Sequence, residues 1–141
     1  MIVVDASAAL EVLLNSRLAG AVSSALFDSG RSLHAPHLLD LEVCQVLRRM
    51  LRRLQIEPQR AEQALADLAD FPIERYAHTP MLSRIWAMRE NLTAYDAAYL
   101  VLAEALDAEL VTCDAALKSV PGCRARVNLV TVNSVTLTRA C

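Results

Sequence analysis

Short runs of apolar, often β-branched residues alternate along this chain with segments of helical spacing, and that alternation restricts the fold more than any other feature. Ile2-Val3-Val4 is the first run, a buried strand ended by Asp5. Ser7 to Asn15 then has helical apolar spacing, with a second helix near Leu18 to Phe27. Leu33-His34-Ala35 is the second strand, stopped by Pro36, and Leu38 to Leu54 is a long helix. Pro58 suits the first helical position and opens a helix to about Ala69. Phe71 to Tyr76 holds a third strand, and Thr79-Pro80 opens a helix through Trp86 to about Arg89. A buried helix follows, ending at Leu106. Glu109 to Thr112 is the fourth strand, Ala115 to Lys118 a short helix, and Leu129 to Val132 the fifth strand. Strands alternating with helices predict an α/β fold, a three-layer α/β/α domain on a five-stranded, mainly parallel sheet. At 141 residues, one domain over 1–141 is long enough for a real core.

Composition narrows the class. A 55% hydrophobic chain is not disordered. No run approaches the roughly 18 apolar residues of a membrane span. Met1-Ile2-Val3-Val4 carries no basic leader and Asp5 interrupts it, so a cytoplasmic protein is expected. Cys44, Cys113, Cys123 and Cys141 show no CxxC spacing, which argues against zinc or a disulfide framework and for small buried hydrophobes. His34, His37 and His78 lack helical ligand spacing, although His34 and His37 could meet in a loop. The net charge of −2 does not announce a nucleic-acid binder. Thirteen arginines stand against one lysine, however, and arginine is the better bidentate phosphate ligand.

Leu92-Thr93-Ala94-Tyr95-Asp96-Ala97-Ala98-Tyr99-Leu100 reads as the start of the buried helix. Thr93 fits the N-cap, and Asp96 falls where a carboxylate meets the positive end of the helix dipole. Asp96 is thus either a capping-box acid or a metal ligand on a rigid element. Asp5 and Asp114 follow strands one and four, at carboxyl ends where α/β sites form; each alone also fits as a helix cap. In the long helix Leu39, Val43, Val46, Met50 and Leu54 form one apolar stripe. Glu42 lies on its edge, and Arg49 and Arg53 continue that edge. Four carboxylates at one rim would repel one another without a cation, and a hard divalent ion with oxygen ligands supplies that charge. Asp40 points away from Glu42 on an ideal helix and is left out.

Ile-Val-Val-Asp5-Ala-Ser7-Ala, Leu-Leu-Asp-Leu-Glu42-Val, Asn-Leu-Thr93-Ala-Tyr-Asp96-Ala-Ala-Tyr and Leu-Val-Thr112-Cys-Asp114-Ala-Ala-Leu resemble the successive motifs of PIN-domain ribonucleases. The nearest subgroup is the toxin component of virulence-associated (VapBC) toxin–antitoxin modules. The resemblance spans Ile2 to about Val132. It implies an acidic site of Asp5, Glu42, Asp96 and Asp114 holding Mg2+ or Mn2+, with Ser7 and Thr112 as supporting hydroxyls. It also implies metal-dependent endonucleolytic hydrolysis of RNA, a homodimer, and inhibition by a cognate antitoxin whose arginine reaches the acidic site. Arg49 and Arg53 are candidate RNA contacts, and a cleft between the first two helices and the long helix is the expected antitoxin seat.

Two other functions fit less well. A non-catalytic module would use the acidic pocket only to capture a partner's arginine. A phosphate-accepting receiver domain needs a lysine near the last strand, and Lys118 lies before Pro121-Gly122, outside it. A P-loop nucleotidase is excluded by the absence of its GxxxxGK[ST] motif.

Overall fold

The computed structural model describes residues 1–132. Five strands form one sheet: β1 (Ile2–Val4), β2 (Leu33–Pro36), β3 (Ile73–Tyr76), β4 (Glu109–Thr112) and β5 (Arg126–Leu129). Among the described residues six helices flank it: α1 (Ala6–Leu13), α2 (Ala19–Phe27), α3 (Leu38–Arg52), α4 (Pro58–Asp70), α5 (Leu82–Ala87) and α6 (Ala94–Ala105). Two 3-10 turns, Thr79–Met81 and Ala115–Leu117, precede α5 and follow β4. The strand order is β3-β2-β1-β4-β5, and every pairing is parallel. The chain therefore builds outward from β1 in one direction and resumes at β4 in the other, which puts the topological switch point between β1 and β4.

Burial explains the sequence of the central strands. Ile2, Val3 and Val4 are all at 0% exposure, because a central parallel strand is covered on both faces and has no polar side to alternate with. α6 is buried continuously from Ala97 to Ala103 and packs against β1, β2 and β4, so its apolar sequence reflects its place on the sheet. α1 packs on α2, α3 and α4, and α5 packs on α6. Near the end of α6, Glu104 takes two hydrogen bonds from Arg84 at 2.9 and 3.0 Å and one from the Arg124 backbone N–H at 2.8 Å. That knot ties α5, α6 and the segment entering β5 together.

Several expectations need correction. The fifth strand is Arg126–Leu129, three residues earlier than the apolar run at Leu129–Val132 suggests. Its register is fixed by the short β4, with Glu109 opposite Arg126 and Thr112 opposite Leu129, and an edge strand tolerates the exposed arginine. α3 buries Leu39, Val43 and Leu47, leaving Val46 and Met50 half-buried. Leu54 lies beyond the helix end with φ +55° and is 93% exposed. The buried stripe follows i, i+4, i+8 toward α1 and α4, and the slower drift assumed from the sequence misplaces its C-terminal half. The helix after Thr79-Pro80 begins as a 3-10 turn and ends at Ala87. Cys44 is exposed, and Cys113 and Cys123 are half-buried, so none of these three is a core residue; Cys141 lies outside the described residues. Among the described residues no helix is long and apolar enough to cross a membrane.

Candidate active site

The switch point is where β1 hands over to α1 and β4 to its 3-10 turn. Asp5 leaves β1 in extended conformation and caps α1, its Oδ1 accepting from the Ala8 N–H at 3.0 Å. Ser7 donates its hydroxyl to the same oxygen at 2.7 Å, and Thr112, at the end of β4, donates to Oδ2 at 2.6 Å. The Thr112 hydroxyl also accepts from the Asp114 N–H at 2.9 Å, while the Ser7 hydroxyl accepts from the Cys113 N–H at 2.9 Å. Two small hydroxyls thus lock the ends of β1 and β4 to each other around one carboxylate. Asp114 caps its own turn through the Ala116 N–H at 2.9 Å.

The second half of the rim comes from helices. Thr93 accepts from the Asp96 N–H at 3.1 Å and donates its hydroxyl to Asp96 Oδ2 at 2.9 Å. The capping geometry read from the sequence is therefore present, and it orients the carboxylate. Glu42 projects from α3 and accepts from the Tyr99 hydroxyl at 3.2 Å. Tyr99 lies three residues after Asp96 on the same helix face, and the sequence reading missed it as a site residue. The signal was present, since a tyrosine in a buried helix needs a partner for its hydroxyl.

Electrostatics join the four acids. Burial pushes the Asp5 carboxyl above its ordinary value, against hydrogen bonds from Thr112, Ala8 and Ser7, and the charge of Asp114 adds to the rise. Glu42 is raised too, by burial first, with the Tyr99 hydrogen bond opposing and the charges of Asp96 and Asp5 adding. The Tyr99 phenol is pushed up strongly by burial and then by Glu42, Asp5 and Asp96, so it stays a neutral donor. Asp114, Asp5, Glu42 and Asp96 form one chain of mutually repelling groups. Among the described residues no arginine, lysine or histidine forms an ion pair with any of them. Their side chains point to the partners named above, and no three His, Cys, Asp or Glu among the described residues already stand in a metal-holding arrangement. Glu42 Oε1, Asp96 Oδ1 and Asp114 Oδ2 keep no protein partner among the described residues. An all-oxygen, anionic donor set of this kind fits a hard divalent cation.

Other acids and bases are engaged elsewhere. Asp40 holds Arg75 by bonds of 2.8, 2.9 and 3.1 Å, a fold contact consistent with its omission from the site. His34 is buried in β2 between Ser32 at 2.8 Å and Tyr76 at 2.9 Å. It does not meet His37, which begins the turn into α3 and lines a groove with His78. Burial, with the charges of Asp5 and Glu11, pushes the Cys113 thiol up to about 11, so it is not a nucleophile at neutral pH. Arg49 lines a groove with Glu42, whereas Arg53 is the exposed C-cap residue of α3 and does not. α1 packs directly on α2 and α3, and two grooves run along α3 beside α5 and the start of α6.

An all-parallel sheet with this order and an acidic rim at its switch point defines a PIN-like fold, and the PIN domain family matches residues 2–122. The solved structure of PAE2754 from Pyrobaculum aerophilum superposes with a TM-score of 0.69 at 25% identity, covering 97% of this chain and 88% of that one. VapBC2 from Rickettsia felis, at 12% identity and a TM-score of 0.65, shares the fold over 92% of this chain and 98% of that one. Ribonuclease VapC9 of Mycobacterium tuberculosis is 44% identical over 114 residues, 81% of this chain and 86% of that protein. Ribonuclease VapC1 of the same organism is 39% identical over 129 residues, 91% of this chain and 96% of that one. The chain belongs to the PIN-domain family, within its group of VapC ribonucleases.

Proposed function

We propose that this chain is the ribonuclease toxin of a toxin–antitoxin pair. It cleaves RNA phosphodiesters endonucleolytically with Mg2+ or Mn2+ held by Asp5, Asp96, Asp114 and Glu42. The observation that carries the reading is the chain of four coupled carboxylates at the switch point with no basic partner among the described residues. A bound divalent cation supplies Lewis acidity toward phosphate oxygens and makes water a stronger nucleophile at neutral pH. The protein's part is to hold its donors still. Ser7, Thr112 and the Ala8 N–H fix Asp5; Tyr99 orients Glu42; Thr93 orients Asp96. Arg49 and Arg53 are assigned to flanking phosphates, which position RNA without reading its sequence.

The test is Asp96→Asn. Asparagine keeps the cap acceptor and loses the charge. Cleavage of RNA in Mg2+ or Mn2+ should fall by ~10²-fold or more, with the melting temperature nearly unchanged. A variant that still cleaves removes Asp96 from the ligand set, and one that unfolds makes it a cap only.

The partners proposed are an RNA substrate, a cognate antitoxin and a second copy of the chain. An antitoxin guanidinium inserted at the rim would supply the missing positive charge. Raising Mg2+ or Mn2+ should then weaken inhibition in a cleavage titration with the antitoxin peptide, and replacing its arginine by alanine should weaken it further. Inhibition indifferent to both would mean that the antitoxin only blocks access. Sedimentation of the free chain tests the dimer: a monomer at micromolar concentration would reject it.

A further inference from the structure

A groove of about 520 Å³ opens beside Glu42, between α3 and the first residue pair of α6. Leu41, Glu42, Gln45, Val46, Arg49 and Tyr95 line it. Residues 42, 45, 46 and 49 recur at helical spacing, so one face of α3 forms one wall. Tyr95 forms the other, one residue before Asp96 and 63% exposed. Three groups in this groove are uncommitted. Among the described residues the Tyr95 ring and hydroxyl, the Gln45 amide and the Arg49 guanidinium have no hydrogen-bond, ion-pair or ring partner. Elsewhere the picture is mixed, since Arg48 and Arg52 are likewise without a partner among the described residues. Tyr76 and Tyr99 both use their hydroxyls, and Arg60, Arg75 and Arg84 are all bound to carbonyls or carboxylates. An exposed aromatic face, an amide and a guanidinium in a groove that shares Glu42 with the acidic rim match the parts of a nucleotide.

We propose that this groove seats a nucleotide flanking the cleaved bond, its base stacked on Tyr95, the base edge met by Gln45 and a phosphate by Arg49. The proposal rests on the ribonuclease reading and adds where the substrate's base is read. Single-stranded RNA is recognised by unstacked bases laid on aromatic rings and hydrogen-bonded at their edges. Stacking tolerates any base, so Tyr95 supplies affinity. The amide of Gln45, both donor and acceptor, supplies preference. A protein is the less suitable occupant of this groove. The neighbouring one, lined by Leu38, Leu41, Leu82, Ile85 and Tyr95 together with His37 and His78, is mostly apolar and carries no guanidinium.

The experiment is cleavage kinetics on an oligoribonucleotide that the wild-type chain cuts, and on copies with an abasic residue at each position flanking the cut. Tyr95→Ala should lower kcat/KM by ~10-fold, mostly through KM, and Tyr95→Phe should restore most of it. One abasic position should cost wild type the same factor and cost Tyr95→Ala nothing more, since the two changes remove one contact. Gln45→Ala should flatten base preference at that position. Full activity in Tyr95→Ala, or abasic and Tyr95→Ala losses that multiply, overturns the subsite while leaving the ribonuclease reading intact. A Tyr95→Ala loss that comes with a changed oligomeric state on sizing, and no abasic coupling, assigns Tyr95 to a protein interface instead. A wild-type chain that cuts no RNA in Mg2+ or Mn2+ overturns both.

Discussion

Glu104 and Asp5 are both carboxylates shielded from water, the Glu104 side chain 6% exposed and Asp5, the more deeply buried residue, 5% exposed as a whole. Glu104 is gripped by the Arg84 guanidinium, by the Arg124 N–H, and by the Arg124 guanidinium at 4.0 Å. Its pKa is pulled down to about 2, by the Arg84 hydrogen bond first. Asp5 has only two hydroxyls and one backbone N–H, and burial pushes its carboxyl up. One acid has its counter-charge within the chain. The other is held by neutral donors alone, as the proposed cation site requires. The difference separates a carboxylate paired within the fold from one that no basic side chain among the described residues pairs with. It also explains how both coexist on one scaffold, since α6 carries Glu104 near one end and Asp96 near the other.

The comparison breaks if the two acids respond alike to losing their charge. The largest effect should be on chemistry. Asp5→Asn should reduce RNA cleavage by ~10²-fold or more while changing folding stability by less than ~1 kcal/mol in urea unfolding. Glu104→Gln should do the reverse. It strands the Arg84 guanidinium and should cost about 2–3 kcal/mol of stability at neutral pH, with cleavage kept at temperatures where the fold survives.

Acid sharpens the same point. The folded pKa of Glu104 is depressed, so its stabilisation is present above the ordinary value of 4.5 and is lost as pH falls toward about 2. The stability gap between wild type and Glu104→Gln should therefore close over that window, and a constant gap would remove the ion pair as its cause. The smallest effect is expected at Glu42. Glu42→Gln keeps an acceptor for Tyr99 and relieves repulsion from Asp96 and Asp5. Without added metal it should raise stability by ~0.5–1 kcal/mol, read by calorimetry.

How much of this was legible in the sequence depended on the kind of signal. Asp5 and Asp114 were legible because a short β-branched run followed by an acid marks a strand end, and parallel topology sends strand ends to one rim. Asp96 was legible as a cap, and the reciprocal Thr93 bonds are that cap. Glu42 was placed on the correct helix, although that helix's buried stripe was misphased from Val46 onward. Leu47, not Val46, continues the face of Leu39 and Val43. The partner of Tyr99 and the Arg84–Glu104 pair were not legible. Each depends on a partner 20 or more residues away, and no local periodicity encodes it. β5 was misplaced because its register is imposed by β4, not by its own hydropathy.

The four carboxylates at the rim repel one another, and the proposed divalent cation would supply their counter-charge. Calorimetric titration of Mn2+ into metal-free wild type, Asp5→Asn and Glu104→Gln tests it most directly. Saturable binding is expected to wild type and to Glu104→Gln, and none to Asp5→Asn. Equal binding by Asp5→Asn and wild type would contradict it.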